Sequence, residues 1–244
     1  MEEQTDTQEA QQTQEMGVVQ RMVGVFFSPG ETFASVNRLA SHKDWLIPLL
    51  LLILVGQVTL QFTMPLIKEM SITQVRKQME KNENLSEEQR EKAVQNIEKF
   101  VGISTRATVP FAVIAFVLIG AAILLALSNL ILGGEGTYKK ILAVMSYSSL
   151  VGIPGAIVGV PLMLAKESVK VQVGFGLLVP GSMSDSFLFH FLNNLNFFYI
   201  WQCGLISIGL GAVAGIEVKK AAWWIFTLLV LLALGLGALG MLGS

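Results

Sequence analysis

Charged side chains are scarce in this sequence: Asp, Glu, Lys and Arg make up 14% of its 244 residues, against about 25% in soluble globular chains. Cysteine is rarer still. Cys203 stands alone, which excludes an intrachain disulfide and any zinc site built from cysteines. The two histidines, His42 and His190, lie far apart and lack Cys or carboxylate neighbours at ligand spacing, so neither a metal nor a cofactor is expected. Neither sign of charge dominates. With 17 basic and 18 acidic residues, there is no electrostatic footprint for nucleic acid. The first sixteen residues hold five acids and no Lys or Arg, the reverse of the basic start of a signal peptide. Insertion is therefore expected to rest on the first span itself.

What the sequence does have is long apolar runs. Hydrophobic residues reach 52%, and the mean hydropathy is +0.60. Five runs, each able to cross a hydrocarbon core of about 30 Å at about 1.5 Å per residue, contain no Asp, Glu, Lys or Arg. The fold class that follows is an all-α polytopic membrane protein, a bundle of five transmembrane helices. The spans fall at about residues 45–67, 110–132, 141–165, 195–216 and 221–242. The same lack of intramembrane charge argues against proton- and ion-coupled pumps, whose paths need ionisable residues. It also argues against intramembrane proteases built on paired carboxylates or an HExxH helix. With no G-x-S-x-G element either, no catalytic residue is assigned and no enzyme is expected.

Residues 1–16 are rich in Gln, Thr and Glu with little to bury, and they read as a disordered tail. Over 17–44 two interfacial helices are predicted. Val18, Val19, Met22, Val23, Phe26 and Phe27 recur at helical spacing, as in an amphipathic helix lying on a membrane surface. Ser28-Pro29-Gly30 is turn chemistry, and Glu31 puts an acid in the first turn of the next helix. Pro65 is expected to kink or end span one, and Pro154 and Pro161 to bend or break span three.

Between spans one and two, residues 68–107 hold eight Lys or Arg and seven Glu. Ser86 and Gln89 match a capping box, with Leu85 positioned to staple onto Arg90. Ala93, Val94, Ile97, Phe100 and Val101 then form an apolar stripe. An extramembrane helical hairpin with packed arms is predicted. Further on, SVKVQVGF alternates polar and apolar residues and fits either a short strand or an interfacial segment. The aromatic run from Phe187 is expected to start as an interfacial piece ahead of span four.

Polar residues inside the spans are few. Gln57, Gln61, Asn129, Asn194, Asn196 and Gln202 are the candidate interhelix contacts, and Gly155/Gly159 and Ser207/Gly211/Gly215 the candidate faces for close helix approach. Orientation follows the basic residues of the short loops. Outside the hairpin, seven lie on the side of the N-terminus and two on the other. The hairpin's eight bases would reverse this tally, but they are matched by Glu within folded helices. The N-terminus is accordingly expected in the cytoplasm and the C-terminus on the opposite side.

The order of segments carries a resemblance. An SPGETF element precedes a span opened by Trp45 and Pro48, and GGEGTYKKILAVMSYSSLVGIP follows span two. LNFFYIWQCGLISIGLGAVAGI with a Lys pair then fills span four and its exit. Over about residues 20–242 this resembles the Yip family, integral membrane proteins named for binding Ypt/Rab GTPases, and most closely its prokaryotic branch. The resemblance implies a five-span domain with a cytosolic N-terminus and, in eukaryotic members, roles in vesicle trafficking and membrane shaping. Two features depart from the eukaryotic pattern, and both bear on Rab-GTPase binding. No Asp-Leu-Tyr-Gly-Pro motif precedes span one, and the Gly-Tyr pair stands here as Ser146-Tyr147.

The function expected is that of a non-enzymatic interaction or membrane-organising module in a multi-pass membrane protein of the bacterial inner membrane. Its partners would be the lipid bilayer and other membrane or peripheral proteins. Pro29, Glu31, Glu135, Tyr138, Lys139, Lys140 and Tyr147 are the candidate partner-binding residues. The alternative is a small permease or channel component, with a neutral polar path along Asn194, Asn196 and Gln202 beside a broken span three.

Overall fold

The computed structural model describes residues 16–80, 86–169, 174–179 and 186–242. Two short helices, α1 (Val18–Phe27) and α2 (Pro29–Leu39), precede the long α3 (Lys43–Glu80). The chain returns through α4 (Glu87–Ala126), which ends in a π-helical turn, Leu127–Ile131. There follow α5 (Tyr138–Ser149), α6 (Gly152–Ala165), a short 3₁₀ turn at Phe175–Leu178, α7 (Phe187–Asn194), α8 (Phe197–Ala214) and α9 (Val218–Leu242). Five stretches are long and apolar enough to cross a membrane: α3, α4 with its π turn, α5 with α6, α8, and α9. Among the described residues the only β-pairing is an isolated bridge between Gly174 and Asn196. Residues 170–173 of the alternating segment and the Leu85 staple lie outside the described residues.

Pro65 does not end its helix. α3 runs through both Pro48 and Pro65 without ending. Pro110 lies inside α4, where its missing N–H deprives the Arg106 carbonyl of its helical partner. Gln57 Nε2 on α3 donates to that carbonyl at 2.9 Å, so a neighbouring helix satisfies what the proline leaves open. Span three does break, but at Leu150–Val151, ahead of Pro154. Pro154 sits in the first turn of α6, where an N–H would have no intrahelical acceptor to lose.

The hairpin closes with the capping box read from the sequence. The Gln89 backbone N–H donates to Ser86 Oγ at 3.3 Å, and the Ser86 N–H donates to Gln89 Oε1 at 2.9 Å. Lys68 Nζ reaches Glu98 Oε1 across the two arms at 3.2 Å.

At the centre of the bundle is α5, buried without interruption from Ile141 to Ser149. It packs against α3, α4 and α8. α8 comes up tightly against it at Gly209, where an added Cβ would come within 2.4 Å of Val144 Cγ1. That glycine lies off the predicted row of small residues. Within the row, Ser207 is buried, Gly211 makes room for Val218 at the start of α9, and Gly215 is the left-handed cap of α8 at φ 71°. At the other end of the bundle α7 folds onto α9, with Phe191 over Gly237 and His190 over Gly240.

Candidate functional site

Two charged residues precede span one in the sequence, and the structure buries both. Arg21 of α1 is 4% exposed and Asp44, in the first turn of α3, is 0% exposed. They form an ion pair between Arg21 Nη1 and Asp44 Oδ1. A buried charge is tolerated only when paired and hydrogen-bonded, and the surroundings supply the bonds. The Tyr147 hydroxyl of α5 donates to Asp44 Oδ1 at 2.8 Å. The Ser41 N–H and hydroxyl donate to Oδ2 at 2.7 and 2.8 Å. Arg21 Nε donates to Ser35 Oγ of α2 at 3.1 Å. An ionised carboxylate offers about four lone-pair positions, and Asp44 has four donors, so it retains no free acceptor for a substrate or a mobile proton. This cluster joins α1, α2, α3 and α5, and it works as a clamp.

The clamp turns α1 around. Arg21, Gly24 and Val25 face the bundle, while Val19, Val23 and Phe27, spaced four apart, are 72%, 56% and 84% exposed. The predicted apolar set thus divides: Val19, Val23 and Phe27 point outward, as suits a helix in contact with lipid, Met22 and Phe26 pack on the bundle, and the lone cation points inward. α2 is equally embedded through Thr32, Phe33, Ser35 and Val36, and Phe26 meets Trp201 of α8 edge-on at 5.8 Å. The turn at Ser28 is a single residue, because Pro29 already opens α2.

A second assembly of polar groups forms one end of the bundle. The segment 132–137 between the π turn and α5 is held by Asn129, whose Nδ2 donates to the Gly136 carbonyl while its Oδ1 accepts the Gly136 N–H, at 2.9 and 3.0 Å. The Glu135 N–H donates to the Ala214 carbonyl at the end of α8 at 3.0 Å. At Gly134 an added Cβ would lie 2.9 Å from that same carbonyl, so only glycine lets the two segments touch. Of the two lysine pairs, one member of each bonds to a neighbouring segment, Lys140 half-buried and Lys220 exposed. Lys140 Nζ donates to Asn37 Oδ1 of α2 at 2.7 Å, and Lys220 Nζ donates to the Leu132 carbonyl at 3.0 Å. Their companions Lys139 and Lys219 are exposed.

The residues singled out from the sequence therefore divide. Glu135, Tyr138 and Lys139 are exposed together on the 132–140 segment, with the Tyr138 hydroxyl donating to the Leu118 carbonyl at 3.1 Å. Pro29 and Glu31 stand at the opposite end of α2 from Asn37, about 9–12 Å away along the axis. Tyr147 is fully buried in the clamp. Of the polar span residues, Gln57 and Gln202 bond across helices, the latter donating to Ser149 Oγ of α5 at 3.0 Å. Asn129 binds its own loop, Asn194 donates to the His190 carbonyl, and Asn196 caps α8 by accepting the Tyr199 N–H. Gln61 lies exposed beside the hairpin cleft.

Arg21 and Asp44 carry no assigned role in the sequence reading. One signal was available: Ser41-His42-Lys43-Asp44 fits the Ser-x-x-acid capping pattern ahead of an apolar run.

These features define a class: an integral membrane protein of five apolar helices with an N-terminal helical pair clamped to the bundle. A family model described as the Yip1 domain matches residues 23–239. The chain belongs to the Yip1 domain family. The match takes in Asp44 and Tyr147 and begins two residues after Arg21. Membership makes this a membrane protein of a non-enzymatic family with a trafficking-related role. Comparison with curated proteins and with solved structures gives no match.

Proposed function

We propose that this protein is an interaction module that organises other membrane or peripheral proteins at the bilayer. The observation that supports this reading is the end face, where exposed Glu135, Tyr138 and Lys139 stand on a segment bonded to α4, α8 and α9. A surface held in place by its own hydrogen bonds loses little conformational freedom when a partner docks. Tyr138 is its natural anchor, an aromatic residue 38% exposed between an acid and a base. Pro29 and Glu31 would serve a partner that reaches along α2, and Tyr147 acts through the position of that helix.

Tyr138→Ala is expected to weaken capture of a copurifying partner by about 2 kcal/mol, roughly thirtyfold, as at an interface hot spot. The measurement is quantitative copurification in mild detergent beside a Glu135→Ala/Tyr138→Ala/Lys139→Ala variant. Full retention of every partner by the triple variant would remove the site assignment.

The reading also places the end face in the cytoplasm of a bacterial cell and the hairpin outside it. In a Cys203→Ser background, Ser86→Cys is expected to react with a membrane-impermeant maleimide in intact cells, while Thr137→Cys reacts only after lysis. The opposite pattern would invert the orientation.

A further inference from the structure

The arms of the α3–α4 hairpin leave a cleft where they emerge from the apolar spans. The uncharged run on α3 ends at Ile67, and the one on α4 begins at Ala107. Lys68 and Arg106 are therefore the first charges on the two arms, and they line the same cleft of about 720 Å³. Arg76 adds a third cation, while Met64, Pro65 and Ile72 supply apolar wall. A second cleft of about 570 Å³ shares Lys68 and Arg106 and adds Lys99.

Two carboxylates, Glu69 and Glu98, also line these spaces, so four cations face two acids. Lys68 is paired with Glu98 at 3.2 Å, with the two side chains 32% and 50% exposed. The guanidinium groups of Arg76 and Arg106 have no hydrogen-bond or ion-pair partner among the described residues. Ile103, one turn from Arg106, is 74% exposed, and Phe62 on the facing arm is 57% exposed.

We propose that this cleft binds the phosphate headgroup of an anionic phospholipid. The onset of charge at the end of an apolar span marks the headgroup level, where Lys and Arg stems reach polar surroundings. Guanidinium groups without protein partners match phosphate oxygens in a bidentate geometry. Met64 and Pro65, on the span side of Lys68 in the cleft wall, are placed for acyl chains. Inorganic phosphate shares the headgroup chemistry but makes no use of that apolar wall, which favours the lipid as the source. The inference is independent of the partner-binding face at the other end of the spans.

The test is native mass spectrometry of the full-length protein released from nanodiscs of phosphatidylcholine with and without phosphatidylglycerol. Wild type is expected to retain phosphatidylglycerol, with retention falling about fivefold for each charge removed in Lys68→Gln and Arg106→Gln. Glu98→Gln should raise retention, a gain that a misfolded protein cannot produce. Lys92→Gln, in an exposed pair with Glu88 farther out on α4, should leave it unchanged. Equal retention by the Lys68→Gln/Arg106→Gln protein, or an equal loss in Lys92→Gln, would overturn the site. If inorganic phosphate titrated into phosphatidylcholine nanodiscs binds with the same variant dependence and displaces phosphatidylglycerol, the cleft holds a free anion and the lipid assignment fails.

Discussion

Asp44→Ala is expected to destabilise the protein by about 3–5 kcal/mol, the range for removing one partner of a buried ion pair. The loss exceeds that of a surface pair because three structures fail together. Arg21 is left charged at 4% exposure with no counterion. The Tyr147 hydroxyl loses its acceptor, and the Ser41 N–H and hydroxyl lose theirs. The measurement is equilibrium unfolding in mixed micelles followed by tryptophan fluorescence, for which Trp45 is a direct reporter beside the cluster. Arg21→Met should behave similarly, since it strands the carboxylate. The double variant Arg21→Met/Asp44→Leu should recover most of the loss, because apolar replacement of a whole buried pair is often neutral or stabilising. If the double variant is as unstable as the sum of its parts, the two residues are not coupled and the clamp does not exist.

Span positions were readable because the absence of charge over about twenty residues is a one-dimensional signal with few alternative causes. The hairpin cap was readable because Ser86 and Gln89 act within a single turn. The clamp was not. Its partners are 23 and 103 residues apart, and no local pattern links them.

Polarity also misleads here. In water the apolar stripe of α1 would be its docking face. Beside lipid one edge of that stripe, Val19, Val23 and Phe27, points away from the bundle while Met22 and Phe26 pack on it, and the single cation of the helix points in. The small-residue rows were informative only in part, with Gly155 against Phe198 of α8 and Gly211 against Val218, while the contact at Gly209 lies off them. Spacing of four tells which residues share a helix face, but in an all-apolar helix it does not tell which face meets a neighbour. Of the candidate site, the 132–140 segment was legible as a loop of glycine and charge. The hydrogen bonds of Lys140 and Lys220 were not, because each lysine of a pair has the same local sequence context.

Gly209→Ala is expected to cost about 1–3 kcal/mol, the usual penalty for overpacking a core. Its sign is opposite to what helix propensity alone gives, since alanine is favoured over glycine in a helix interior by about 1 kcal/mol. Packing prevails because the new methyl would lie 2.4 Å from Val144 Cγ1 and 3.0 Å from Cγ2, and Val144 is itself fully buried on the central helix. Gly204 provides the control on the same helix. An added Cβ there meets nothing within 4 Å, so Gly204→Ala should be neutral or mildly stabilising in the same unfolding assay. Val144→Ala alone should destabilise by opening a cavity, whereas Gly209→Ala in that background should cost little, because the new methyl occupies the vacated space. The coupling between the two substitutions is therefore expected to be compensating. Additive losses would mean that α5 and α8 do not meet at this glycine, and equal behaviour of Gly204→Ala and Gly209→Ala would mean that propensity, not helix contact, governs both.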